Sequence, residues 1–417
     1  MKNNFVSLCC QTLLAMSVFY SISSRADSSI DKHIIAYQAP VSSNATLSAE
    51  LSAEAIEHVA SHVAQWQLNQ FDIASNKMRV EDRVSGLPNG WMYATFEIGL
   101  LRYAQQQNKP NYLQALVNLS KLNDWQLGPR WFHADDQAIG SVYLQLADLY
   151  ANPAWKKHVI TQLDLALAQS SERSLDFRSE QKEVFVTPLR TFTDPYCTVR
   201  WCWADAIFMA PPVLAQLSHQ QQDPRYLSFM DKEFWATTDY LFDKNYQLYL
   251  RDSRYFDRKD PQGRPIFWGR GNGWVLAGLA RTIEWLPADY PQRPRYIALF
   301  QALSKSMLAY QHAEGSWPSS LLEEESQHKP ESSATGLLVF ALAWGMNNGL
   351  LQGEQYQSAI QRGWQSLVSC VHPDGKLGYV QQVAFAPGSA TFEDTQLYGT
   401  GALLLAAAEL QKRLEQQ

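Results

Sequence analysis

The chain has 417 residues, is 46% hydrophobic, and carries 14 Trp and 19 Tyr, enough to build one large domain or two or three ordinary ones. Its formal charge of −6 argues against nucleic acid as a partner, so any anionic substrate must be met by locally placed arginines, not by a global field. No Cys/His spacing resembles a zinc site, and no metal is expected.

Residues 1–26 read as a secretory signal. Lys2 begins a short positive region, an apolar run extends from Phe5 to Tyr20, and Ser24-Arg25-Ala26 places small residues at a cleavage site before Asp27. A membrane anchor fits less well, because the run is short for spanning and is interrupted by Ser, Gln and Thr. Cleavage removes Lys2 and Arg25 and no acids, so the charge moves from −6 to −8. The expected location is the periplasm or the outside of the cell, with no membrane contact once the signal is gone. Cys9 and Cys10 leave with it, and residues 27–48 form an extended polar lead-in. The remaining Cys197, Cys202 and Cys370 are odd in number and give no disulfide framework, although Cys197 and Cys202 could pair.

From Ala49 onward two kinds of helical segment alternate, with almost no strand signal. One kind is charged along one face: Ala49–Phe71, Asn111–Gln126, Pro153–Gln169, Pro224–Phe242, Arg293–His312 and Glu354–Ser369. The other is apolar nearly all round: Trp91–Gln105, Gln137–Tyr150, Ala204–Leu217, Gly273–Leu286, Ser333–Trp344 and Thr395–Leu410. A helix polar on one face lies at the surface, whereas one apolar all round must be surrounded by others. Six outer and six inner helices predict an all-α (α/α)6 barrel over residues 49–417, folding as a single domain.

The connections entering the inner helices hold the residues with chemistry. They include Leu87-Pro-Asn-Gly-Trp-Met-Tyr93, Trp131-Phe-His-Ala-Asp-Asp136, Arg200-Trp-Cys-Trp-Ala-Asp205, Phe267-Trp-Gly-Arg-Gly-Asn-Gly-Trp274 and Thr391-Phe-Glu-Asp-Thr-Gln-Leu-Tyr-Gly399. If the inner helices run parallel, these stretches meet at one mouth beside six helix N-termini, whose free N–H groups favour an anion such as a charged sugar. Asp205, next to Trp203 and an apolar helix, reads in two ways. It is either an N-cap or a desolvated acid that holds its proton near neutrality. Asp135, Asp136, Ser332, Ser333, Glu393 and Asp394 also stand where caps belong. Gly269, Gly271 and Gly273 suggest backbone approaching a ligand, with Arg270 and Trp274 presented to it.

With these residues assembled, the chain resembles the unsaturated rhamnogalacturonyl hydrolases, (α/α)6-barrel glycoside hydrolases related to the unsaturated glucuronyl hydrolases. The resemblance implies that Asp205, in Trp203-Ala-Asp-Ala-Ile-Phe-Met-Ala-Pro, is the general acid/base, and that Asp135, the first acid of Asp-Asp-Gln-Ala-Ile-Gly140, is a second essential carboxylate. It implies substrate contacts at Trp268, Arg270 and Trp274, and Trp91, Tyr93, His133, Trp201, Trp203, Met209 and Asn272 from the same motifs complete the expected set. Asp135 is expected to hold sugar hydroxyls and, as a neighbouring charge, to help keep Asp205 protonated. The implied reaction removes a 4,5-unsaturated uronic acid from the non-reducing end of an oligosaccharide left by a polysaccharide lyase, with no cofactor. Two departures bear on the substrate. Phe192-Thr-Asp-Pro-Tyr196 replaces a family histidine, and Leu250-Arg-Asp-Ser-Arg254 replaces a His-x-Trp-Asp sequence. Arg251 and Arg254 suit a more anionic, sulfated substrate of the ulvan type. A lyase using Tyr93, His133 and Arg270, or a carbohydrate-binding protein on an inactive barrel, are the rival readings.

Overall fold

The computed structural model describes residues 47–416, apart from 73–74, 76, 81–82, 85, 169–171, 179–181, 187–190 and 325–328. The expected signal and nearly all of the lead-in lie outside the described residues, as do Cys9 and Cys10. The outer helices are α1 (Ala53–Asn69), α3 (Pro110–Leu122), α6 (Lys157–Ala168), α9 (Pro224–Leu241), α11 (Arg293–Leu308) and α13 (Glu354–Ser369). The inner ones are α2 (Trp91–Gln106), α5 (Gly140–Leu149), α8 (Pro211–Gln221), α10 (Gly269–Trp285), α12 (Ser332–Asn347) and α14 (Leu397–Glu415). One-turn helices α4 (Ala134–Gln137) and α7 (Ala206–Met209) precede α5 and α8.

Local chemistry explains the division. Outer helices open on residues that suit a first turn. Ser52 accepts from the Ala55 amide ahead of α1, and Asp223 accepts from the Arg225 amide ahead of α9, which has Pro224 at its first position. Helix α13 buries Tyr356, Ala359, Ile360, Gly363, Trp364 and Leu367, a stripe at helical spacing. The inner helices bury whole turns instead: Gly269–Ile283 of α10, Ser332–Gly345 of α12 and Leu397–Gln411 of α14 are buried without a break.

The inner helices pack side by side in chain order, and α14 returns to α2 to close the ring. Closure depends on close approach of backbone. A Cβ on Gly99 of α2 would lie 2.2 Å from the Gly401 carbonyl oxygen, and one on Gly401 would lie 2.2 Å from that of Thr95. The two helices meet where neither has a side chain.

Two inner helices differ from expectation. The stretch Ala204–Leu217 is broken at Ala210, because Pro211 lacks the N–H that would continue α7 and instead starts α8. The stretch Gln137–Tyr150 is stepped at Ala138-Ile139 in the same way, without a proline. Short antiparallel strands decorate the connections from outer to inner helices. They are β1 (Phe71–Asp72), β2 (Lys77–Val80) and β3 (Arg83–Val84), then β4 (Lys182–Val186) with β5 (Thr191–Pro195), and β6 (Phe242–Asp243) with β7 (Leu248–Tyr249). In register, Phe71 faces Met78, Phe185 faces Phe192, and Phe242 faces Tyr249.

Candidate active site

Asp205 stands just before α7 with helical backbone angles, φ −59° and ψ −28°, and its side chain makes no capping hydrogen bond. The capping reading therefore fails. The residue is only 8% exposed, and its Oδ2 has no hydrogen-bond partner among the described residues. Burial raises its pKa above the ordinary carboxylate value, against the opposing pull of Arg251 and Arg270. Arg251 Nε lies 3.4 Å from Oδ2, an ion-pair contact outside hydrogen-bond geometry. Three local features hold Asp205 in place. A Cys197–Cys202 disulfide closes the preceding turn, Trp201 adopts left-handed backbone with φ 54°, and the Ala204 amide donates to the Arg251 carbonyl at 2.8 Å. The pairing left open by the sequence is thus made, and Cys370 is free and buried.

Asp135 enters from α4. Its side chain is 21% exposed, and its pKa is pushed up to about 7, first by burial and then by Asp136 and Asp205, with Arg130 and Arg251 opposing. Asp205 raises the Asp135 pKa; at Asp205 itself burial is the largest cause, and the like charge that adds to it is Asp252, where Asp135 had been expected. His133 caps α4: its Nδ1 accepts from the Asp135 amide at 3.3 Å, which leaves Nε2 to carry the ring proton. Burial, with Arg130 and Arg251 nearby, drives the His133 pKa well below its usual value, so the ring is neutral and packs 4.8 Å from Trp203. Asp136 is not a cap. It takes the Arg130 amide, Nε and Nη2, fixing the turn that presents Asp135.

The aromatic residues of the mouth also assemble. Trp91 stacks on Tyr398 at 5.0 Å and meets Trp274 edge-on at 6.2 Å, while Phe208 lies 4.6 Å from Trp274. Trp268 and Tyr398 flank the Arg270 guanidinium at 4.5 and 4.9 Å. Residues from α2, α4, α7, α10 and α14 therefore share one end of the barrel. At that end Ser333 of α12 receives a 3.5 Å bond from Arg270.

Several expected contacts prove to serve the fold. The Asn272 amide is wholly spent on backbone, accepting from Tyr249 N and donating to Tyr249 O and Trp268 O, because it pins β7 to the start of α10. The Tyr93 hydroxyl takes the Met78 amide of β2. Trp201 is fully buried against Phe229, and Met209 is packed in the core. Arg270 is 1% exposed and donates to the Gln381 and Gln382 carbonyls at 2.7 and 3.0 Å, so its Nη groups hold a distant segment. Gly269 makes room for protein, not ligand: a Cβ there would lie 2.1 Å from the Pro318 oxygen. At α12 the cap is Glu331, not Ser332 or Ser333. Its carboxylate accepts from the amides of Ser333, Ala334 and Gln381. Asp252, fully buried between Arg251 and Arg254, was not singled out by sequence, nor were Phe177 and Phe385, whose rings flank those arginines. Among the described residues no group of three or more His, Cys, Asp or Glu side chains could hold a metal ion.

A buried carboxyl with one oxygen unbonded, beside a second one with raised pKa, in a ring-shaped helical mouth lined with indoles, is a site for carbohydrate acid/base chemistry. Comparison with known proteins agrees: residues 59–414 match the family model described as Glycosyl Hydrolase Family 88. The chain belongs to that family. This family 88 enzyme is a glycoside hydrolase, and it is 34% identical over 402 residues to an unsaturated 3S-rhamnoglycuronyl hydrolase of Alteromonas sp. (strain LOR), covering 95% of this chain and 96% of that one. Among solved structures, a glycosyl hydrolase family 88 protein from Bacteroides vulgatus superposes with TM-score 0.72 at 25% identity, over 86% of this chain and 98% of the other. A protein named a polysaccharide lyase superposes with TM-score 0.73 at 27% identity, over 88% and 99%.

Proposed function

We propose that this family 88 enzyme releases a 4,5-unsaturated uronic acid from the non-reducing end of lyase-generated oligosaccharides of the rhamnogalacturonan or ulvan type, by protonating and hydrating the C4=C5 bond. The observation that carries this reading is Asp205: a carboxyl at the mouth, held by burial towards its protonated form, with an oxygen left unbonded. Asp205 gives its proton to C4, and the resulting positive charge at C5 is shared with the ring oxygen. Water adds at C5 while the Asp205 carboxylate takes its proton, which restores the acid. The C5 hemiketal opens to a ketone, and the hemiacetal left at C1 expels the leaving sugar with its glycosidic oxygen intact. One carboxyl acts twice, so the spacing rule for two-carboxylate glycosidases does not govern this site. Asp135 and the Nε2–H of neutral His133 are positioned to hold sugar hydroxyls, and Trp91 and Trp203 to cover the ring. The Alteromonas relative's name supports rhamnose as the leaving sugar. The leader read in residues 1–26 makes an exported enzyme part of the same proposal.

A lyase is the second reading, favoured by the name of one structural neighbour. Against it, the Tyr93 hydroxyl is engaged by the Met78 amide and Arg270 by two carbonyls, so two of its three required groups are committed. Ultraviolet absorbance separates the two. The hydrolase consumes the conjugated C4=C5 chromophore of lyase-digested oligosaccharides and leaves intact polymer unchanged. Absorbance that rises on intact polymer would replace this proposal with the lyase.

A further inference from the structure

The short helix that follows Asp205 runs into two prolines. In a continuous helix the carbonyls of Ile207 and Phe208 would accept from the amides four residues on. Those positions are Pro211 and Pro212, which have no N–H to give. Helix α10 supplies what is missing. Arg281 Nη1 donates to the Phe208 carbonyl at 2.9 Å, and Arg281 Nη2 donates to Ser141 Oγ of α5 at 2.9 Å. Three residues earlier on the same helix, Gly278 lets the α10 backbone rest on the other carbonyl: a Cβ there would lie 2.4 Å from the Ile207 oxygen.

Phe208 is held by its ring as well as by its carbonyl. The Arg281 guanidinium lies 4.5 Å from the ring centre, and Trp274, two turns earlier on α10, packs on the same ring at 4.6 Å. The Phe208 amide in turn donates to the Asp205 carbonyl at 3.0 Å. Two hydrogen bonds, both through Phe208, thus link Arg281 to the Asp205 backbone. Its other partner, Ser141, lies just past the step between α4, which carries Asp135, and α5. The guanidinium therefore spans the stepped helices of both acids. It is buried at 5% exposure, and burial lowers its pKa below the usual guanidinium value, with Glu284 opposing and Arg102 adding. Glu284 is itself bonded by Arg102 and by the Trp344 indole. A cation buried against two neutral oxygens costs the fold, so packing alone does not account for an arginine here.

We infer that Arg281 is a positioning residue for Asp205: by standing in for the amide that Pro212 lacks, it fixes the turn that aims the carboxyl. This rests on the reading above, in which Asp205 is the proton donor. The cations that act on the Asp205 carboxyl are Arg251 and Arg270, so the influence of Arg281 runs through backbone. The prolines step α7 off from α8, and the arginine gives the detached turn a fixed seat. Without that seat the Phe208 carbonyl is buried with no helical amide to serve it, and the turn shifts to find a partner. A displacement of about 1 Å at the proton donor is enough to cost on the order of a hundredfold in rate.

The test follows loss of the uronate chromophore on lyase-digested oligosaccharide in a double-mutant cycle. Arg281→Met keeps most of the volume and removes the donors. It should lower kcat about ten- to a hundredfold with KM within about threefold of wild type, while circular dichroism at the assay temperature shows a folded protein. Because the replacement also removes a buried charge, Tm should shift by only about a few degrees. Arg281→Lys, which keeps a donor on a shorter stem, should fall between the two in kcat. In an Asp205→Asn background, Arg281→Met should cost at most about twofold more, because its effect passes through a carboxyl already lost. Arg281→Gln takes its place in the cycle if Arg281→Met does not fold. Wild-type kcat in Arg281→Met, a lysine variant no better than the methionine one, or a further loss of about tenfold in the Asp205→Asn background would each assign Arg281 to packing and overturn the inference. The proposed reaction would stand in all three cases. Asp205→Asn with kcat near wild type would sink the proposed role of Asp205, and this inference with it.

Discussion

Asp135→Asn should make the protein more stable while disabling it, and the gain should grow with pH. In the folded protein burial lifts the Asp135 pKa to about 7, whereas an unfolded Asp titrates near 3.9. A carboxyl whose folded pKa is raised weakens the fold when it ionises. Its contribution is therefore intact below about pH 4, is lost progressively up to about pH 7, and is flat above. Three units correspond to about 4 kcal/mol at pH 8 and roughly a third of that at pH 5. Because 21% of the side chain reaches solvent, we expect the low side of about 2–4 kcal/mol at pH 8. The amide keeps the shape of the acid, and the backbone bond to His133 Nδ1 persists. For a chain this long, such a gain appears as a rise of a few degrees in Tm. Thermal melts of wild type and variant at pH 5 and pH 8 measure it, with the difference between the two Tm increments as the readout. Because Asp205 raises the Asp135 pKa, the observed midpoint belongs to the pair. A variant less stable than wild type at pH 8, or one with the same increment at both pH values, would refute the reasoning.

Asp205→Asn should lower turnover of lyase-generated oligosaccharide by about 10²–10⁴-fold while calorimetric binding persists; turnover within a fewfold of wild type would remove Asp205 from the chemistry. Opening the Cys197–Cys202 bond by paired Cys→Ser replacement should cost about 2 kcal/mol, the value for so short a loop, and should reduce kcat because Asp205 lies three residues beyond Cys202. An unchanged Tm and kcat would mean that the turn is held without it. Asn272→Ala strands the Tyr249 amide and carbonyl, at about 1–3 kcal/mol per buried group. It should lower Tm far more than it raises KM, and the reverse pattern would return Asn272 to the substrate.

The alternation of helices was legible because burial imposes it on composition. A helix such as α13, with one apolar stripe, and one such as α12, buried from Ser332 through Gly345, differ in every turn. What periodicity did not carry was the break at Ala210. Apolar residues run on through Pro211 and Pro212, and only the missing N–H of proline marks the step. Cap assignments failed for a related reason. Ser332 and Ser333 have the right side chains, but Glu331 reaches the same amides and that of Gln381 as well, a third donor from a distant segment.

The same distinction separates the legible from the hidden parts of the site. Asp205 could be picked out because an acid beside apolar residues already implies an energetic cost, whereas Asp135 read by its residues as a cap and stood out only through the family motif Asp-Asp-Gln-Ala-Ile-Gly140. Arg270 also sits in such a motif, yet its Nη groups turn to carbonyls more than a hundred residues downstream, and no local pattern records that. The pair Arg251 and Arg254 is intermediate. Their spacing about Asp252 suggests a shared carboxylate, but no local pattern records that Phe177, Phe385 and Asp205 reach Arg251 from three other segments. The setting of Arg251 is therefore a property of how the connections meet at the mouth, and a swap of Leu250–Arg254 alone into another barrel should not rebuild it.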